Sequence, residues 1–282
     1  MAELVRKIQP DFVFHLAAQA LVRASVADPL YTWSTNVLGT ANILNALLLI
    51  QQSCSCVVVT SDKCYLNNEW VWGYREIDQL GGSDPYSASK AASELVFSSF
   101  FDTYFANHGT ISIASARAGN VIGGGDWSPN RLIPDCIRHW RSGQSLSIRY
   151  PHATRPWQHV LEPIFGYMKL ALNLSCKMSI SGQSFNFGPD PSGIFPVIDV
   201  VNHISNNLSG ELKFVADEVV DIKESSLLSL DSSKARALLG WSPSLSCLSA
   251  IDWTTSWYQN YYDQRESVYN YTLGQITDFL AI

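Results

Sequence analysis

Two short segments of the chain carry side chains whose types and spacing could perform acid–base chemistry. Ser61, Asp62 and Lys63 follow an apolar run, and Tyr86 and Lys90 lie four positions apart farther along. Residues at this spacing share one face of a helix. An ammonium group beside a phenol stabilises the phenolate, and a phenol with a lowered pKa can act as a base near neutral pH. The two segments therefore predict proton transfer to and from a hydroxyl group.

A tyrosine and a lysine four residues apart are, in isolation, more often surface or packing residues than catalytic ones. Here the pair follows the segment TSDK, with Ser61 25 positions before Tyr86. The preceding predicted strand ends in FHLAAQ. Ligand sites in parallel sheets gather at the carboxyl ends of the strands. This context favours a shared catalytic crevice over coincidence.

The elements that must position these residues alternate along the first part of the chain. Asp28-Pro29 and Asp84-Pro85 are helix-start signals, each an N-cap residue followed by proline at the first helical position. Apolar, β-rich runs predict strands buried on both faces. The predicted order is strand 12–17, helix 30–51, strand 56–61, helix 85–107 and strand 111–116. This alternation predicts an α/β fold with a Rossmann-like, doubly wound parallel sheet.

The amino-acid composition changes after Gly119, and this change suggests a second, smaller domain. Residues 123–156 are rich in Gly, Pro, Trp and Arg. The periodicity predicts helices near 131–142, 160–174, 247–262 and 272–281 and a strand near 184–187. We expect a Rossmann domain in residues 1–121 that returns at about 156–190. The interleaved substrate domain is then formed by residues 122–155 and 191–282.

The composition narrows the range of functions. The 282 residues are 46% hydrophobic and 16% charged, which is typical of a globular protein. The net charge of -6 argues against a nucleic-acid partner, which requires a basic face. No apolar run of about 18 residues predicts a membrane span, and the N-terminus lacks the apolar core of a signal peptide. The six cysteines lack metal-ligand spacing, so we expect reduced thiols, no metal site and a cytoplasmic protein.

A family resemblance sharpens this interpretation. Residues 57–90, VVVTSDKCYLNNEWVWGYREIDQLGGSDPYSASK, resemble the extended short-chain dehydrogenase/reductase family, and within it the CDP-glucose 4,6-dehydratases. The resemblance continues through SARAGNVIGGGDW (115–127), RLIPD (131–135), IRYPHATRPWQHVLEP (148–163) and DSSKARALLGW (231–241). It implies an NAD-dependent lyase whose small-molecule substrate is a nucleotide sugar. In the family reaction a glucosyl unit is oxidised at carbon 4, loses water across carbons 5 and 6, and is reduced at carbon 6.

The resemblance also implies a role for each residue of the two segments. Tyr86 would deprotonate the hydroxyl on carbon 4, Lys90 would lower the pKa of Tyr86 and bind the nicotinamide ribose, and Ser61 would orient the hydroxyl. Asp62 would protonate the oxygen that leaves carbon 6. Lys63 would either take the proton from carbon 5 or stabilise the enolate, and both roles stay open because a lysine base must be partly neutral. The related dTDP-glucose dehydratases have glutamate at this position.

Further binding residues follow from the same resemblance. Ala17, Ala18 and Gln19, at the end of the first predicted strand, would line the NAD cofactor, although simple strand packing also explains the small residues. Asn120 would contact the substrate after the third strand. Arg155 would bind the pyrophosphate of the sugar nucleotide, a chemistry that suits a guanidinium group.

One expected motif does not occur. A Rossmann domain begins with a strand and a glycine-rich turn that holds the cofactor's pyrophosphate, but no GxxGxxG precedes residue 12. On the resemblance, on the order of 70 residues of βα units are missing, which would expose a strand edge and an apolar face. Either the true start lies upstream or the chain is a partial protein. We expect this chain alone to bind NAD poorly and to show little dehydratase activity.

Two rival functions remain at this point. The chain could be another nucleotide-sugar enzyme of the superfamily, an epimerase, decarboxylase or reductase, although an epimerase needs no acid–base pair such as Asp62 and Lys63. It could also be a non-catalytic binding protein or dimer partner. Extended dehydrogenases commonly dimerise through two long helices, here the predicted helices 30–51 and 85–107. We therefore expect a homodimer.

Overall fold

Strands and helices alternate along the chain in the computed structural model, which describes residues 1–176, 178–190, 193–216, 227–264 and 267–282. The strands are β1 (Phe12–His15), β2 (Cys54–Val59), β3 (Ile111–Ala118), β4 (Asn120–Ile122), β5 (Leu146–Ile148), β6 (Thr154–His159), β7 (Ser184–Phe187), β8 (Ile194–Pro196) and β9 (Phe214–Ala216). The α-helices are α1 (Ala2–Ile8), α2 (Val22–Ala27), α3 (Pro29–Trp33), α4 (Gly39–Leu47), α5 (Pro85–Phe100), α6 (Leu132–Ser142), α7 (Leu161–Cys176), α8 (Val197–Asn207), α9 (Ser233–Leu239), α10 (Cys247–Asp263) and α11 (Val268–Ala281).

The central sheet is parallel and has the strand order β1-β2-β3-β7. Side chains alternate across it, so that Cys56 and Val58 of β2 pack against Leu44 of α4 and Phe97 of α5. Val57, between them, faces the opposite layer, where Leu170 of α7 lies. Helices therefore cover both faces of a parallel sheet, and the predicted α/β class is confirmed.

The first strand differs from the prediction. We expected residues 12–17 to form a strand buried on both faces, but β1 ends at His15, and Phe12, Phe14 and Leu16 are 41%, 40% and 50% exposed. The physical reason is its position, because β1 pairs only with β2 and forms the edge of the sheet. The expected exposed strand edge and apolar face are confirmed.

Both predicted helix starts are confirmed. The side chain of Asp28 accepts a hydrogen bond from the amide of Tyr31, and that of Asp84 accepts one from the amide of Ser87, each at 3.0 Å. A π-helical turn, Ser34–Leu38, joins α3 to α4, and a second one, Phe101–Phe105, extends α5. The first turn shifts the buried face, because a π turn contains an extra residue. Thr32, Asn36, Thr40 and Leu44 are buried along this segment, whereas Trp33 is 38% exposed.

The later part of the chain forms a separate apolar core around α6, α8 and α10. A three-stranded sheet of order β4-β6-β8 borders this core, and β5 pairs with β9. The boundaries of the two domains stay a prediction. All six cysteines are free thiols, and five of them are buried. Among the described residues, no helix is long and apolar enough to cross a membrane.

Candidate active site

A tight turn follows β2 and carries the first predicted segment. Ser61 caps a 3₁₀ turn, Asp62–Cys64, by accepting a hydrogen bond from the amide of Lys63 at 3.2 Å. The Ser61 hydroxyl donates to Oδ1 of Asp62 at 3.0 Å. The hydroxyl and the carboxyl are thus held together at the carboxyl end of a central strand, where parallel sheets bind their ligands.

The second segment lies at the start of α5, directly against this turn. Tyr86 and Lys90 are both buried, with 7% and 5% of their surfaces exposed. The amide of Tyr86 donates to Oγ of Ser25 at 3.1 Å. Ser61 and Tyr86 line the same cleft, and the Ser61 hydroxyl is close enough to lower the pKa of Tyr86. The structure thus brings the two segments together.

The pKa values in this pair differ from the simple expectation. The pKa of Tyr86 is raised to about 12, mainly by burial, which outweighs the lowering influence of Ser61. Burial also lowers the pKa of Lys90 to about 8, against the opposing influence of Cys64 and Glu94. The pKa of Tyr86 is therefore raised overall, because desolvation acts against its charged form, and a lowering influence of Lys90 stays a prediction.

Asp62 is held as a potential proton donor. Its carboxyl is buried, and its Oδ2 has no hydrogen-bond partner among the described residues. Burial raises its pKa, whereas Lys63, Ser61 and Arg155 lower it. Gly119 allows close approach, since a Cβ there would lie 3.3 Å from Oδ2 and 2.8 Å from Cγ of Pro156. A buried carboxyl that keeps its proton can act as a general acid.

A cleft of about 640 Å³ opens over these groups, and Ser61, Asp62, Lys63 and Tyr86 line one end of it. Asn120 and Arg155, predicted as substrate contacts, line the same cleft, and Arg155 is only 6% exposed. Lys90 lies behind Tyr86 and is not part of the lining. Most of the predicted site residues therefore meet in one concave site.

Sequence reasoning missed several residues of the cleft. Arg23, Arg131, Arg149 and Tyr150 also line it, so that with Arg155 four arginines line the same space. Arg131 lies 3.7 Å from Asp126, another lining residue. Arg131 and Arg149 could have been found from the sequence, because they lie in RLIPD and IRYPH, two of the segments that carry the family resemblance. Guanidinium groups at this density suit a ligand with phosphate groups.

The comparisons with known proteins agree with this geometry. The family model described as GDP-mannose 4,6 dehydratase matches residues 1–253. The chain belongs to the GDP-mannose 4,6 dehydratase family. The resemblance to the extended short-chain dehydrogenase/reductases is thereby confirmed.

Several relatives of this dehydratase-family chain are named as sugar-nucleotide 4,6-dehydratases. A CDP-glucose 4,6-dehydratase of Salmonella typhimurium is 42% identical over 260 residues, 90% of this chain and 72% of the relative. A dTDP-glucose 4,6-dehydratase of Shigella flexneri is 25% identical, over 92% of this chain and 75% of the relative. Among solved structures, a dTDP-glucose 4,6-dehydratase from Streptomyces venezuelae with NAD bound superposes with a TM-score of 0.76 at 23% identity, over 95% of this chain and 80% of its own. The Rossmann-like fold is confirmed.

The predicted cofactor loop of this dehydratase-family member follows β1. Ala17 is exposed, Ala18 is half-buried and Gln19 is buried, and the cleft lining begins only at Ala20. The side-chain amide of Gln19 is used internally, since its Nε2 donates to Oγ1 of Thr32 at 2.8 Å. Asn36 braces the loop by accepting from the amide of Gln19 at 2.8 Å and donating to its carbonyl at 3.0 Å. The contacts of residues 17–19 with NAD stay predictions.

The surroundings of the Lys90 ammonium show whether the site could hold the nicotinamide ribose of NAD. Its ammonium is buried, and no hydrogen bond to it is found in the part of the chain that the structure describes. A buried ammonium without an acceptor fits a ribose hydroxyl, which can accept its hydrogen bonds. The nicotinamide end of the site is therefore compatible with NAD.

Proposed function

We propose that the chain is a sugar-nucleotide 4,6-dehydratase that converts CDP-glucose to CDP-4-keto-6-deoxyglucose with NAD as cofactor. The observation that carries the proposal is the buried carboxyl of Asp62, whose pKa is raised by burial and which accepts a hydrogen bond from Ser61 beside Tyr86. Removal of water from a sugar needs an acid next to an oxidation site, and these residues supply both. The CDP-glucose dehydratase relative supports the choice of nucleotide.

In the oxidation step, Tyr86 removes the proton from the hydroxyl on carbon 4. Ser61, which lines the same cleft as Tyr86, would orient that hydroxyl. NAD, when bound, supplies the reversible hydride acceptor. Lys90 would hold the nicotinamide ribose, and its positive charge makes the phenolate of Tyr86 easier to form. The residues thus supply orientation and proton transfer.

In the elimination step, the ketone on carbon 4 makes the proton on carbon 5 acidic. Asp62 donates its proton to the oxygen that leaves carbon 6, so that water departs rather than hydroxide. Lys63 is half-buried on the same turn and lines the cleft. Since a lysine base must be desolvated, this exposure favours a Lys63 that stabilises the enolate as a cation.

The substrate would lie along the cleft with its sugar at Tyr86. Asn120 would contact the sugar, and Arg155 would bind the pyrophosphate together with Arg131 and Arg149, two of the three other arginines that line the cleft. Bidentate hydrogen bonds to phosphate are the geometry that a guanidinium group favours. The rival epimerase function is less well supported, because an epimerase does not need an acid such as Asp62 beside the oxidation site.

Isotope labelling tests the proposed function directly. The chain is incubated with NAD and CDP-glucose that carries deuterium on carbon 4, and the product is analysed by mass spectrometry and NMR. We expect the product that forms, even at the low rate expected for this chain, to have lost one water and to carry deuterium on carbon 6. An epimerase would instead return the deuterium to carbon 4 without losing water. A binding protein would leave the substrate unchanged while titration calorimetry still detects CDP-glucose, and either result would contradict the proposal.

We further propose that the protein is a cytoplasmic homodimer formed through α3, α4 and α5. Leu30 on α3, Leu38 in the π-helical turn between α3 and α4, and Leu95 on α5 are 80%, 59% and 62% exposed, which is a large apolar exposure. Covering such a surface with a second copy would remove apolar area from water. The free cysteines suit a reducing compartment.

The variant Leu95→Asp is expected to convert the dimer to a monomer, because the charge would have to be buried at the centre of the helical interface. Light scattering after size-exclusion chromatography measures the mass. The matched control is Leu273→Asp on α11, where the leucine is 48% exposed and lies outside these helices. Equal masses for both variants and the native chain would contradict this interface.

A further inference from the structure

A buried carboxylate, Glu94, continues the catalytic face of α5. Tyr86, Lys90 and Glu94 are spaced by four residues, so the three side chains lie along one side of the helix. Glu94 is 1% exposed, and both of its carboxylate oxygens accept hydrogen bonds. Its Oε1 accepts a hydrogen bond from Thr60 at 2.5 Å, and its Oε2 accepts one from Arg117 at 2.7 Å.

Thr60 connects this carboxylate to one end of the active-site turn. It is the residue immediately before Ser61, and its amide donates to the carbonyl of Ala116 at 2.8 Å. The strand and the helix are therefore joined at Glu94, one residue away from the Ser61 hydroxyl. A shift of the helix along the sheet would break this short hydrogen bond.

Arg117 connects the ion pair to the other end of the same turn. Its NH1 donates to the hydroxyl of Tyr65 at 2.8 Å, and its guanidinium carbon lies 5.0 Å from the centre of the Tyr65 ring. Tyr65 directly follows Cys64, the last residue of the turn. The pair of Glu94 and Arg117 thus holds the turn from both sides.

The cost of this arrangement argues for a role beyond stability. The two charged side chains are only 1% and 4% exposed, and taking such charges out of water carries a large desolvation penalty. Apolar residues of similar volume often serve stability equally well or better. A buried ion pair specifies one geometry, and here it joins the two segments that carry the proposed chemistry.

We propose that Glu94, together with Arg117, is a positioning residue that fixes the turn of Ser61, Asp62 and Lys63 against Tyr86 and Lys90. The proposal rests on the proposed dehydratase function only for the chemistry that is positioned. The contacts themselves come from two strands and from Thr60 directly after β2, since Ser115 of β3 and Ser184 of β7 also donate to Oε2 of Glu94, at 2.9 and 3.2 Å.

The same carboxylate has an electrostatic consequence for Lys90. The groups that face Lys90 are Cys64 on the turn, His15 on β1 and, on its own helix, Tyr86 and Glu94. Burial lowers the pKa of Lys90, and Cys64 and Glu94 raise it. Replacing Glu94 by a neutral amide would leave the buried charge of Arg117 unbalanced, so the pKa of Lys90 would fall further. More of the lysine would then be neutral at physiological pH.

NMR of the full chain labelled with ¹³C at the lysine ε-carbons tests this without relying on turnover. The Lys90 signal is assigned by its loss in Lys90→Arg. In Glu94→Gln we expect the pKa of Lys90 to fall by about one unit or more, because a nearby opposite charge has been removed. The control is Asp102→Asn, which removes an exposed carboxylate from the same helical segment and should leave the titration unchanged. An unchanged Lys90 titration in folded Glu94→Gln would overturn the proposal.

A second variant keeps the test informative if Glu94→Gln does not fold. Thr60→Val leaves the ion pair intact and removes only the hydroxyl that joins Glu94 to the turn. We expect kcat to fall about tenfold, with KM changed less than about twofold, because binding groups stay in place while the acid and base lose register. Native kcat in Thr60→Val would overturn the positioning role. If the native chain itself showed no turnover, the proposed function would fail and the NMR titration would still decide the role of Glu94.

Discussion

The variant Tyr86→Phe is expected to lose dehydratase turnover by about 10³-fold, within the usual range for removal of a general base. Phenylalanine keeps the packing of a residue that is 7% exposed but cannot take the proton from carbon 4. The hydroxyl of Ser61 would still bind the substrate, so KM should change little. Initial rates of CDP-4-keto-6-deoxyglucose formation measure kcat and KM separately.

The control for this prediction is Tyr104→Phe, which removes a half-exposed phenol hydroxyl from the segment that extends α5. Its rate should equal that of the native chain. Calorimetric titration with CDP-glucose should give similar affinities for all three proteins. A Tyr86→Phe variant that retained more than about a tenth of the native rate would show that another group is the base.

The variant Asp62→Asn is expected to separate oxidation from elimination. An amide of the same size cannot give a proton to the oxygen on carbon 6, so product formation should fall by about 10²- to 10⁴-fold. The ketone can still form, and the proton on carbon 5 should continue to exchange with solvent. NMR in D₂O would therefore show deuterium entering carbon 5 of the sugar while little product accumulates. Loss of exchange and product formation in equal measure would contradict the assignment of Asp62 as the acid.

The stability of the same variant has a predictable dependence on pH. Burial raises the pKa of Asp62 in the folded state above the ordinary value of 3.8. A raised pKa means that the folded state disfavours the ionised form, so the native chain loses stability as the pH rises above that ordinary value and through the folded-state pKa. Asparagine does not ionise. We expect the unfolding midpoint of Asp62→Asn to equal or exceed the native one at neutral pH, with Asp102→Asn as the exposed control.

The family and the chemistry could be predicted from short segments because they depend on residue types at set spacings. Ser61, Asp62, Tyr86 and Lys90 were found in this way, and the structure brings them into one place. Helix starts at Asp28 and Asp84 were also predictable, since an N-cap side chain and a following proline act locally. The burial of each side chain could not be predicted in this way. A motif contains no information about how deeply its phenol or amine is buried.

The raised pKa of Tyr86 illustrates that limit, because it follows from packing around α5 rather than from its neighbour Lys90 in the motif. The exposure of β1 could not be predicted for a similar reason, since central strands and edge strands can have the same apolar sequence pattern. Two arginines of the cleft, Arg131 and Arg149, are far from the catalytic turn in sequence and become its neighbours only through the fold.

The sequence by itself determined the catalytic residue types, the alternation of strands and helices, and the family. Only the tertiary structure decided that burial raises the pKa of Asp62, that β1 is an edge, and that Glu94 and Arg117 contact residues on both sides of the turn that carries Asp62. The physical reason is that spacing along a chain determines local geometry, whereas desolvation and ion pairing depend on residues brought together from distant parts of it. Ser61 and Tyr86 could be found by their order in the chain, but their chemistry is set by what surrounds them.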